Sequence, residues 1–243
     1  MILSLQFNKT TEVKPVKLLL AMRALALVAT AWLFGACAGI ESTPGVRNTS
    51  RTFTTVVLDA GHGGHDSGAR IRKGALEKDL ALDVVLRLAP KLREAGFRTV
   101  LTRKSDVFIP LDGRVDISNA RENAVFVSVH FNDAGRKPVI GVESYYFSSE
   151  SSRMAERMVR VLSQTTGAPN RGARTARFRV IRMNANPAVL MECGYLTTSK
   201  EAAWISRAEY RERIAVGLAR GIIEQRGGPI RQESPVQIPQ VLP

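Results

Sequence analysis

Apolar residues along the chain fall into two kinds of run. Short continuous stretches at residues 55–59, 97–102, 125–130, 141–147, 178–183 and 188–192 are predicted as six strands, several too uniformly apolar to have a solvent face. Between them, helical spacing takes over. In residues 76–95, Leu80, Val84, Leu88 and Leu92 form one stripe, Ala81 and Val85 widen it, and Gly96 stops it. Residues 111–123, 149–165 and 209–225 are the other predicted helices, with a shorter one at 200–206. Strands alternating with helices predict an α/β fold: a three-layer domain whose roughly six-stranded, mostly parallel or mixed sheet is flanked by helices. No internal repeat is visible.

The folded part is expected to span residues 53–226. Ahead of it, Lys14, Lys17 and Arg23 precede "ALALVATAWLFGACAG", an apolar run of signal-peptide length that ends in small residues and is short for a bilayer span. Residues 1–38 therefore read as an export signal, and Met22 is an alternative start. Cys37 follows Phe34-Gly35-Ala36, similar to the lipobox of bacterial lipoproteins, in which the cysteine is lipidated; Phe34 stands where Leu is more usual. The rival reading is cleavage at Ala36-Cys37-Ala38, which would release a soluble protein. Residues 39–52 are polar and read as a linker, and the proline-rich residues 227–243 read as a disordered tail.

Composition narrows the picture only in places. A chain of 243 residues, 44% hydrophobic, can bury one substantial core, and nothing suggests a second domain. A net charge of +13 attracts polyanions of any kind. The basic residues are scattered rather than gathered in an aromatic-studded stripe, so no nucleic-acid partner is expected. With Cys37 lipidated or removed, Cys193 has no partner and no disulfide framework supports the fold.

Candidate chemistry begins in "VVLDAGHGGHDSGA", which places His62 and His65 in a glycine-rich loop after the first strand. Ligands bind at that edge of open α/β sheets. The loop lacks the Lys-Ser/Thr of a P-loop and does not match a dinucleotide fingerprint, so its distinctive atoms are imidazole nitrogens. His130 closes the strand "VFVSVH", at the same edge if the two strands are parallel, and Glu77 opens the long helix on its sheet-facing side. Taken singly, each has a bland explanation, as a rim histidine or a helix-dipole carboxylate. Together, two imidazoles and a carboxylate are the ligand set of a catalytic zinc with an open position. A hydrolytic site also needs a base, and "NPAVLMECGY" places Glu192 at the end of a buried strand, where an idle carboxylate would be costly. His65 is expected to be exposed and idle, and Cys193 to be a packing residue.

At these residues the chain resembles the zinc-dependent N-acetylmuramoyl-L-alanine amidases of the amidase-3 family. "LDAGHGGHDSGA", the "LEKDLALDVVL" helix, R-x4-NA at Arg114, "VFVSVHFNDA", "GVESYYF" and "PAVLMECGYLTTSKEA" occur in the family's order over about residues 54–225. The resemblance implies zinc ligands at His62, Glu77 and His130 and a catalytic glutamate at Glu192. It implies hydrolysis of the amide between N-acetylmuramic acid and L-alanine in peptidoglycan, which fits an exported, periplasmic or cell-envelope enzyme; separately, a monomer is expected, held to the membrane by a lipid on Cys37 where the lipobox reading applies. Ala60, Cys193 and Thr198 depart from the usual family residues without removing a ligand or the base. A non-catalytic wall-binding or activator protein should have lost one of the four, and a zinc hydrolase of other acylated amino acids or peptides is the remaining alternative. Arg103 and Arg114 match family positions that either hold substrate carboxylates or brace the sheet, and bracing is expected.

Overall fold

The computed structural model describes residues 45–228 except 73 and 136–138. The segment expected to be an export signal, with Cys37, and the expected tail from residue 229 lie outside the described residues. Along the chain come β1 (Thr55–Ala60), α1 (Glu77–Glu94), β2 (Arg98–Leu101), α2 (Leu111–Asn119), β3 (Ala124–Asn132) and β4 (Val142–Tyr146). They are followed by α3 (Ser149–Thr166), β5 (Asn170–Thr175), α4 (Arg179–Arg182), β6 (Ala188–Tyr195), α5 (Ser199–Ile205) and α6 (Ala208–Arg226). None of the described helices is long and apolar enough to cross a membrane.

The strands form one six-stranded sheet in the order β2-β1-β3-β6-β4-β5. β4 runs antiparallel to β6 and every other neighbouring pair is parallel, so the mixed sheet matches the expected class. Alternation along each strand separates two faces. Val56, Leu58, Val127, Val129, Val189 and Met191 face a deep core that includes Leu80, Val84, Leu88 and Leu92 of α1, Met154, Met158 and Leu162 of α3, and Ile214, Leu218 and Ile222 of α6. On the other face Val57, Phe126, Ala188 and Leu190 meet a much smaller cluster with Val180 and Ile181. Each large apolar side chain buried in the thick layer contributes about 1.5–3 kcal/mol.

Two sequence expectations need correction. Residues 178–183 are not a strand: Arg179–Arg182 form the short helix α4. Val180 and Ile181, adjacent in sequence, are both buried in the smaller cluster, which one strand face cannot achieve but one turn of helix can. The strand is instead β5, whose sequence NRGART has no apolar pattern because it lies at the sheet edge and is held by backbone pairing to β4. The second correction concerns residues 45–52, the later part of the segment read as a linker. Thr49 Oγ1 donates to Ala124 O at 2.7 Å, Arg47 to Asn186 Oδ1 at 3.0 Å, and Gln225 Nε2 to Ser50 O at 2.9 Å. The folded part therefore reaches back to Arg47. Bonds to backbone carbonyls leave no mark on hydropathy.

α3 and α6 pack closely because α6 offers glycines at the contact. A Cβ at Gly221 would lie 3.2 Å from Met158 Cα, and one at Gly217 would lie 3.1 Å from Leu162 Cδ1 and Thr165 Cβ. Glycine inside a helix costs about 1 kcal/mol relative to alanine, and close helix packing offsets it. Gly221→Leu should therefore lower unfolding stability by about 1–3 kcal/mol in urea titration. Wild-type stability in that variant would show that the two helices do not depend on this approach.

Candidate functional site

The parallel run of β1, β3 and β6 brings three chain segments to one edge. Ala60 pairs with Val129 and His130 pairs with Glu192, so the loop after β1 starts beside the end of β3, and Glu192 stands one strand away. Gly61 crosses directly over the imidazole of His130: a Cβ there would fall 2.3 Å from His130 Cε1. His62 follows with φ of 58°, a left-handed conformation uncommon for a residue with a side chain.

Two buried arginines hold that turn. Arg114 donates to Ala60 O at 2.8 Å and to His62 O at 2.6 Å, while Arg103 reaches Ala60 O at 3.0 Å and Gly61 O at 2.8 Å. Every carbonyl from Ala60 to His62 thus accepts from a guanidinium. Arg114 is fixed in turn by buried Asp59 at 2.8 Å, whose carboxylate also accepts from Thr102 and Ser128 at 2.6 Å each. Both arginines brace the backbone of this turn.

Glu77 begins α1 with its carboxylate turned back toward the sheet and 4% of the residue exposed. Oε1 lies 3.0 Å from His62 Nε2 and 2.8 Å from His130 Nδ1, and accepts from Phe131 N–H at 3.1 Å; Oε2 accepts from Ala69 N–H at 2.8 Å. Burial pushes this carboxyl up, but the bonds from His130 and His62 outweigh it and hold it well below the usual carboxylate range. Burial lowers both imidazoles, and their hydrogen bonds with Glu77 more than restore them, so both are raised. Potential ligand atoms of His62, Glu77 and His130 lie within 4.8 Å of one another. Two imidazole nitrogens and a carboxylate oxygen at that separation could hold a divalent metal ion.

Glu192 completes the site. Its Oε2 is buried without a hydrogen-bond partner among the described residues. Burial pushes its carboxyl up to about 7, opposed by neighbouring His130. An ionisable oxygen without a protein partner, beside three residues that could hold a metal ion, is suited to taking and returning a proton. Cys193 points into the opposite core; burial raises its thiol, and it takes no part. His65 is exposed beside the ring of Phe108, 4.1 Å between centroids, outside the triad.

A cavity of about 770 Å3 opens above these groups. His62, Glu77, His130 and Glu192 line it together with Phe108, Leu111 and Phe178, three apolar side chains left exposed. The smaller helical layer does not cover this part of the sheet. Sequence reading missed Asp66, whose Oδ2 lies 2.9 Å from His62 Nδ1 and leaves Nε2 facing the triad. It also missed the apolar walls and the buried carboxylate of Glu143, next to Glu192 on β4. Only the four-residue spacing of His62 and Asp66 offered a hint, and in a loop that spacing has no geometric meaning.

Known proteins can now be compared. Residues 56–224 match the profile of the family described as Amidase_3, N-acetylmuramoyl-L-alanine amidase. N-acetylmuramoyl-L-alanine amidase LytC of Bacillus subtilis (strain 168) is 34% identical over 173 residues, 70% of this chain and 35% of LytC, so the match spans about a third of that protein. The catalytic domain of CwlV, an N-acetylmuramoyl-L-alanine amidase from Bacillus (Paenibacillus) polymyxa var. colistinus, superposes with a TM-score of 0.68 at 39% identity, over 71% of this chain and 97% of that one. N-acetylmuramoyl-L-alanine amidase AmiC2 of Nostoc punctiforme gives a TM-score of 0.66 at 41% identity, over 70% and 95%. The six-stranded mixed sheet and the matched residues agree: the chain belongs to the Amidase_3 family of N-acetylmuramoyl-L-alanine amidases.

Proposed function

We propose that the protein is a zinc-dependent peptidoglycan amidase that hydrolyses the bond between the lactyl group of N-acetylmuramic acid and L-alanine, releasing the stem peptide. The observation that carries this reading is the convergence of His62, Glu77 and His130 beside the unpartnered Oε2 of Glu192 in an open cleft. Donor chemistry supports zinc over magnesium or calcium, which favour all-oxygen sites. Zinc held by these three residues would supply a Lewis acid for the scissile carbonyl and lower the pKa of water.

The chain's own residues do the rest. Asp66 holds His62 through Nδ1, and Glu77 is fixed by the amides of Phe131 and Ala69, so the triad is set before substrate arrives. Glu192 Oε2 takes a proton from the attacking water and returns it to the departing amide nitrogen, so one water yields a free lactyl carboxyl and the amino group of the alanine. Phe108, Leu111 and Phe178 offer apolar surface for the lactyl and alanine methyl groups and shed water around the reacting atoms. Peptidoglycan lies outside the cytoplasmic membrane, so the activity fits export and a lipid on Cys37, whose multiple acyl chains would keep the protein at the envelope.

Three outcomes test this reading. Metal analysis of the purified protein should find about one zinc per chain, and His62→Ala or His130→Ala should lose most of it; full occupancy in both variants would end the ligand assignment. Glu192→Gln should retain zinc yet lower kcat on purified sacculi by about 100-fold or more, because a general base contributes to rate and not to metal affinity. Near wild-type turnover in that variant would make Glu192 structural. Cys37→Ser should move the protein from the membrane to the soluble fraction and abolish incorporation of labelled fatty acid, whereas a wild-type protein already soluble and beginning at Gly39 would favour simple cleavage.

A further inference from the structure

The segment from β5 through α4, RGARTARFRVIR, carries Arg171, Arg174, Arg177, Arg179 and Arg182 and no acidic residue. Two carboxylates answer these five arginines among the described residues. Arg179 pairs with Asp112, and Arg171 and Arg174 share Glu143, with Arg171 Nε at 2.5 Å and Arg174 Nη1 at 3.3 Å from its oxygens. Glu143 also accepts from Tyr145 OH at 2.6 Å and Tyr195 OH at 2.5 Å. One guanidinium would neutralise a buried carboxylate. Here there are two, and Arg177, laid over the ring of Phe147 at 5.8 Å, has no acidic partner among the described residues.

The sheet shows where this charge lies. Arg174 pairs with Tyr145 on β4, and Tyr145 pairs with Leu190 on β6, a residue of the cavity wall. Residues in register on neighbouring strands share a face, so the row Leu190, Tyr145, Arg174 runs outward on the cleft side. Phe178 of the cavity wall stands edge-on to the Tyr145 ring, 5.3 Å between centroids, and joins the cavity to the row. Two strand spacings make about 10 Å, the length of about three extended residues. Arg174 itself is half exposed. Nη1 is held by Glu143 and Nη2 donates to Arg171 O at 3.3 Å, and the remaining N–H groups of the half-exposed fork are available to a ligand.

Resting on the amidase reading above, we propose that Arg174, assisted by Arg171 and Arg177, binds a free carboxylate on the stem-peptide residue that follows the cleaved L-alanine. Glu143 is then a positioning residue, which holds the guanidinium groups in place before the ligand arrives. A planar fork suits a carboxylate, and replacing that carboxylate by an uncharged amide removes the charge-assisted bonds.

The test uses two N-acetylmuramoyl peptides that differ only in the second residue, which carries either a free α-carboxylate or its amide. The full wild-type chain should show a KM about tenfold lower for the carboxylate form. In Arg174→Gln, and more completely in Arg174→Gln with Arg177→Gln, that ratio should fall toward one, with Arg174→Lys recovering part of it. Thermal melting checks that the variants remain folded. The same pair of peptides, fluorescently labelled, is also bound to the Glu192→Gln protein, where affinity is read without turnover. If wild type cleaves neither peptide, the amidase reading fails, and the binding ratio still decides the arginines. Equal KM and equal binding of both peptides by the wild-type arginines, or the same loss for both in Arg174→Gln, would overturn the proposal. So would binding of inorganic polyphosphate with the same arginine dependence but no distinction between carboxylate and amide.

Discussion

His62 can face Glu77 and His130 only because its backbone is held in a left-handed turn, and that turn depends on the buried Arg114 guanidinium. Arg114 ties Ala60 and His62 to Asp59, and Asp59 itself accepts from Thr102, just after β2, and from Ser128 on β3. A charge pair at this depth earns little stability over an apolar pair, while loss of one partner leaves an uncompensated charge at about 3–5 kcal/mol. What the network supplies is position. A turn strained by about 1–3 kcal/mol persists because several bonds determine it at once. Arg103, donating to Ala60 and Gly61, adds a second tie between the loop and the sheet edge.

The cleft follows from the unequal faces of the sheet. One face is sealed by α1, α3 and α6 around a continuous apolar core. The other carries nine-residue α2 and four-residue α4, whose small cluster covers only part of it. Where that layer stops, the polar ends of the strands are left beneath an open cavity. Glu192, on this thinner side, is buried enough at its carboxyl to be raised to about 7 and still lines the cavity.

The antiparallel strand β4 extends the same logic sideways. By pairing with β6 it places Glu143 beside Glu192, and by pairing with β5 it places arginines beyond Tyr145. Two carboxylates on adjacent strands, buried Glu143 and half-buried Glu192, are shifted in opposite directions by their surroundings: hydrogen bonds from two tyrosines and Arg171 outweigh burial at Glu143 and lower it, whereas Glu192 lacks such partners and is raised.

By itself the sequence determined the strand–helix alternation and the sheet-facing stripe of α1, and it singled out the four residues proposed for the candidate centre. Each of those signals is local: hydrophobic period follows from which face must be buried, and His62, His130 and Glu192 are marked by standing at the ends of apolar strands. Local signals do not reach the edge strand β5, since a strand that pairs on one side and packs little needs no apolar pattern, and they misread Val180-Ile181, whose apolar character fits a buried turn of helix as well as a strand. Asp66, Glu143 and the docked residues 47–52 were invisible for a related reason. Their roles rest on hydrogen bonds to groups distant in the chain or outside any regular period, and only the folded backbone sets those distances.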